Sequence, residues 1–132
     1  LWYAEQIQSA SGAIAISTSG NMNGSFVSAC FEYSGIAKTN SLLSFVGQPG
    51  VSNSQGEIIL APLNHAGGPE LVFGFLGSGA TSLATGFTLR SNLQSDIYLE
   101  KIIALPGTTN VRGFTGQPGQ DWLGVSATFR GQ

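Results

Sequence analysis

Two near-identical phrases carry most of the side chains that could recognise a ligand: Phe45-Val46-Gly47-Gln48-Pro49-Gly50 and Phe114-Thr115-Gly116-Gln117-Pro118-Gly119. The second runs on into Gln120-Asp121-Trp122, which sets an indole beside two amides and a carboxylate. A flat apolar ring flanked by planar hydrogen-bonding groups is suitable chemistry for a sugar. Gln48 supplies the matching amide in the first phrase, where no tryptophan follows. The candidate ligand-binding residues are therefore Gln48, Gln117, Gln120, Asp121 and Trp122. The competing role for Trp122 is packing, because it opens the final apolar run and large aromatics usually fill a core or its rim.

Catalytic arrangements find less support. The single histidine, His65, could join Asp96 or Asp121 in a nucleophilic triad, but the strained Gly-x-Ser-x-Gly turn that exposes such a serine is missing. Glu32 and Glu100 hold comparable places in the two halves and could form a glycosidase pair if they met across a twofold axis; solvated strand ends are the simpler assignment. No Asp-rich loop offers converging oxygens for calcium, and the lone Cys30 excludes both an intrachain disulfide and a cysteine metal site. The expectation is a protein without enzymatic activity, metal or cofactor. Cys30 reads as a small buried hydrophobe in a strand. Asn23-Gly24-Ser25 forms a glycosylation sequon that carries little weight. Lys101 is the odd charge, since alternation puts it on one face with Ile97, Leu99, Ile103 and Leu105. An ammonium there must snorkel, pair with a carboxylate, or condense with an asparagine.

These residues need elements to position them, and the repeated phrase suggests how many. The phrases lie 69 positions apart in a chain of 132 residues. Asn21-Met22-Asn23-Gly24 also aligns with Asn92-Leu93-Gln94-Ser95 at an offset of 71, and Thr39-Asn40 with Thr109-Asn110 at 70. A tandem duplication with two one-residue deletions in loops would produce this drift, with residues 12–61 and 83–130 as the copies. The competing explanation is turn chemistry arising twice.

Strand-like alternation runs through residues 12–18, 25–33, 42–46, 57–61, 71–76, 85–89, 96–105 and 122–129, with Gly, Pro, Asn or Ser between the runs. In the last run Leu123, Val125, Ala127 and Phe129 share one face, and Gly124, Ser126, Thr128 and Arg130 the other. Only Leu1 to Ala10 could form a helical turn. Eight to ten short strands predict a single all-β domain over 1–132, an antiparallel sandwich or barrel of jelly-roll or Greek-key type, in two pseudo-symmetric halves of about five strands.

Charged residues make up 9% of the chain, against about 25% in an ordinary soluble domain. With five basic residues and a net charge of −2, the chain cannot neutralise a phosphate backbone, so nucleic acid is excluded as a partner. The charge-poor stretches 6–31 and 71–89 are too broken by Ser, Asn and Gly to serve as membrane spans. Low charge removes a usual defence against self-association. The expected partner is the chain itself, as a homo-oligomer or polymer, with glycans second. The uncharged polar surface, and Leu1 where an initiator Met would stand, suggest an extracellular or virion-surface setting and a structural or assembly role; a carbohydrate-binding module or lectin is the alternative.

Overall fold

The computed structural model describes residues 3–5, 28–77, 79–93 and 95–132. These form ten strands and no helix: β1 (Leu42–Val51), β2 (Glu57–Ile59), β3 (Leu63–His65), β4 (Glu70–Gly77), β5 (Ala80–Leu83), β6 (Thr88–Leu93), β7 (Asp96–Ile103), β8 (Gly107–Thr109), β9 (Arg112–Thr115) and β10 (Asp121–Arg130). Every pairing is antiparallel. A five-stranded sheet has the order β1-β10-β4-β7-β6, a three-stranded sheet the order β2-β9-β5, and β3 pairs with β8. None closes on itself, so the all-β antiparallel expectation holds and the barrel alternative does not.

β4 and β7 organise the core. Val72 and Leu76 from β4, with Ile97 and Leu99 from β7, pack on Ile58, Leu60, Leu63, Ala80 and Val111 from the smaller sheets and their connections. The layers approach closely, because a Cβ at Gly124 of β10 would stand 2.6 Å from Leu60 Cδ1. That closeness decides the orientation of β10. Alternation alone predicts its apolar face inward, yet Ser126 and Thr128 are fully buried on the same side as Gly124, while Leu123 on the opposite side is 49% exposed. The two sets of residues are as the spacing predicts, but their sense is reversed. Small side chains fill the narrow gap beneath Leu60, where the bulkier set would not fit.

The apolar set of β10 joins a second layer of packing on the outer face of the sheet. Register places Ala127 opposite Phe73, Val125 opposite Phe75, and Phe75 opposite Tyr98. The Phe31 ring covers part of this face, 5.6 Å from Phe73 and 5.3 Å from Tyr98 between centroids, and Tyr3 meets Phe129 at 5.7 Å. A strand is expected over 25–33; the described part, 28–33, pairs with no described strand. It keeps the alternation, with Ala29, Phe31 and Tyr33 partly buried and Ser28, Cys30 and Glu32 exposed. Side-chain stacking across a sheet face needs the same period of two as a ladder. Cys30 therefore faces solvent as a free thiol, contrary to the buried role expected of it.

Two ionisable groups record how these covering segments are held. The Glu5 carboxylate accepts hydrogen bonds from Ser41 N at 2.6 Å, Ser41 Oγ at 2.7 Å and Asn40 N at 3.2 Å. The Ser41 backbone bond above all, then its hydroxyl, keeps Glu5 below the usual carboxylate range. Burial, reinforced by Glu100, pushes the Tyr33 phenol well above its ordinary value.

Among the described residues, which leave out 12–27 of the first copy, two equivalent strand sets are not shown. The first phrase lies within β1, whereas the second leaves β9 through a turn that enters β10. Proline is tolerated in β1 because, among the described residues, that strand ends the sheet order and donates on one side only. The second phrase turns at Gly119, where φ is +72°. The expected strand 12–18, the Asn21–Gly24 hairpin, the Asn23 sequon and most of the possible helical turn in 1–10 lie outside the described residues. β3, β5, β8 and β9, three or four residues each, are not among the strands that alternation predicts. Segments such as Arg112-Gly-Phe-Thr115 are too short for alternation to announce them, and are set by the partners beside them.

Candidate functional site

The residues that follow each Gln-Pro-Gly phrase bring the two regions together. Antiparallel pairing sets Gln48 opposite Gly124, Pro49 opposite Leu123, Gly50 opposite Trp122 and Val51 opposite Asp121. Ser52, buried just beyond, then clamps the second loop: its amide donates to Gln120 O at 2.9 Å, its Oγ accepts from Gln120 N at 3.0 Å, and Gly119 N donates to Ser52 O at 3.2 Å. Thr115 Oγ1 contacts Ser52 Oγ and the carbonyls of Gly56 and Gln117. Sequence reading missed both hydroxyl residues, which offer no signal beyond lying two residues after one Gly-rich phrase and inside the other.

The geometry of the five candidate residues follows from this clamp. Gln48 Oε1 accepts from Ala61 N at 2.9 Å, tying β1 to the segment after β2. Gln117 and Gln120 are exposed and serve the clamp through their backbones. Asp121 is exposed at the start of β10. Trp122 is 6% exposed and belongs to the core cluster. Gly50 leaves room for the indole, since a Cβ there would collide with Trp122 Cζ2 and stand 2.7 Å from Cε2. The ring is packed under β1, so the exposed face that sugar stacking needs is not offered.

Apart from Asp121, the titratable candidates lie on other segments. His65 Nδ1 and Glu70 Oε2 are 3.0 Å apart with both side chains buried, and Glu70 Oε1 also accepts from Ala66 N at 3.1 Å. His65 Nε2 is buried with no hydrogen-bond partner among the described residues. The pair fastens the β3–β4 connection. Glu100 lies 3.4 Å from Arg90 Nε, and Glu32 is exposed in the covering segment. Among the described residues, no group of three or more His, Cys, Asp or Glu converges.

Lys101 lies where alternation predicts, on the inner face of β7 with Ile97 and Leu99, where register sets it opposite Val72. Its Nζ stands 5.6 Å over the Phe87 ring, at a groove that Arg112 and Phe114 also line. Arg112 Nε is 3.4 Å from Glu57 Oε1. Neither known protein families, nor curated proteins, nor solved structures provide a match for this chain. Its function must therefore be argued from its own surfaces and side chains.

Proposed function

We propose that this domain is a non-enzymatic structural or assembly subunit that presents surface to copies of itself, in an extracellular or virion-type object such as a fibre, filament, shell or spike. In this reading its two packed layers are wrapped in a jelly-roll-like manner. The supporting observation is an apolar strip on the outer face of β1 and β10. Phe45 is 51% exposed, Val51 60% and Leu123 49%, and Pro49 lies directly across from Leu123. β1 also ends the five-stranded order among the described residues, so the strip adjoins a strand edge able to accept further pairing. Such exposed apolar surface commonly marks an interaction site, and a contact made there has few charges to oppose it.

Light scattering across a concentration series tests the proposal. The native chain should be oligomeric, its association little changed between low and high salt, and Phe45→Asp combined with Leu123→Asp should yield a folded monomer. A native chain that stays monomeric at high concentration would refute the role, as would an assembly that dissolves on raising ionic strength. The second reading, glycan recognition, draws no support from the Gln-Pro-Gly loops, where Trp122 is packed away and Gln48 is bonded to the backbone. A different part of the surface favours it.

A further inference from the structure

A groove of about 600 Å³ is lined from β2, β7, β8, β9 and the β5–β6 connection by Glu57, Lys101, Thr109, Arg112, Phe114 and Phe87 among others, a volume within the range of small-ligand sites, about 300–1,000 Å³. All the Asp and Glu residues of the chain lie among the described residues. Their ion pairs there are His65–Glu70, Arg90–Glu100 and Arg112–Glu57, and none includes Lys101. Lys101, a half-buried residue, thus holds its ammonium over an aromatic ring and outside every ion pair among the described residues. A cation held at the wall of a groove and outside any ion pair is placed to donate a charge-assisted hydrogen bond to an arriving carboxylate. Around it stand groups that recognise hydroxyls: Glu57 as acceptor, and the Thr108 and Thr109 hydroxyls, which both give and accept hydrogen bonds. Phe114, half-buried beside them, supplies an apolar surface for the C–H face of a ring.

From this combination we infer that the groove binds a carboxylate-bearing saccharide, its acid group on Lys101 and its hydroxyls on Glu57 and the β8 threonines. The inference is independent of self-assembly, because the groove lies away from the β1–β10 strip. It also transfers glycan recognition from the Gln-Pro-Gly loops to residues that only the fold brings together.

Calorimetric titration with di- and trigalacturonate, against neutral galactose oligomers of the same length and against acetate and inorganic phosphate, tests it on the intact chain. The acidic oligomers should bind, with affinity falling as salt is raised, and the neutral oligomers and small anions should bind at least about tenfold more weakly. Lys101→Gln should weaken the acidic oligomers by at least about tenfold, whereas Gln117→Ala should leave binding unchanged. Amide shifts in the native chain should cluster at Phe87, Thr108 and Arg112, a readout that stands even if the Lys101 variant folds poorly. Failure of the acidic oligomers to bind, shifts clustering at the Gln-Pro-Gly loops, or equal binding of acetate or phosphate would each overturn the inference.

Discussion

Substitutions on the two faces of β10 should have opposite consequences from those that alternation alone predicts. Thr128 is fully buried and its hydroxyl has no hydrogen-bond partner among the described residues, as is also true of Ser126. A buried hydroxyl left unmatched carries a penalty of about 1–3 kcal/mol. Thr128→Val removes the hydroxyl and keeps the branched shape, so it should stabilise by about 1 kcal/mol, raising the thermal midpoint by about 3–5 °C in a domain of this size. Thr128→Asp instead places a carboxylate between the layers, where the effective desolvation penalty is several kcal/mol. Against a typical total stability of about 5–15 kcal/mol, that is enough to abolish or nearly abolish folding. On the other face, Leu123→Asp exchanges a side chain that is already half in water, and should cost only about 1 kcal/mol. Urea and thermal unfolding by circular dichroism read all three, repeated at two protein concentrations because self-association raises apparent stability. If Thr128→Asp melts like the native chain while Leu123→Asp unfolds it, β10 faces the other way and the proposed layer packing is wrong.

Trp122→Ala should cost about 3–5 kcal/mol, the usual penalty for truncating a buried tryptophan, whereas Gln117→Ala and Gln120→Ala should each stay within about 0.5 kcal/mol because only their backbones serve the clamp; an unchanged urea midpoint for Trp122→Ala would contradict the core assignment. Glu70→Ala orphans His65 Nδ1 and the Ala66 amide together and should cost about 2–4 kcal/mol. Glu70→Gln keeps an acceptor and should cost clearly less, so equal losses in the two variants would show that the pair's hydrogen bonds are not what holds the β3–β4 connection.

How far the sequence foretells this molecule depends on whether a residue's surroundings are local. β4 and β7 are legible because Leu71 to Leu76 and Ile97 to Ile103 are rich in residues that fit a pleated surface whatever lies next to them. β10 is legible in period but not in sense. An alternating pattern tells which residues share a face, and assigns that face to the core only when the other side of the sheet is wet. Here Phe31 and Tyr3 cover part of the outer face, and the inner gap admits Gly124, Ser126 and Thr128, so polarity ceases to mark the inside. The repeated phrase does not by itself fix a conformation, for a related reason: Gln-Pro-Gly fits both an end strand and a positive-φ turn, and its neighbours choose between them. The site shows the same division. Lys101 is conspicuous from spacing alone because an ammonium on an apolar face must be answered by something. Glu57 and Arg112 carry no such mark, and share its groove only because β9 is held between β2 and β5. A charge out of place in a periodic pattern therefore points to where a ligand could act, while the groups that select the ligand are supplied by strand order.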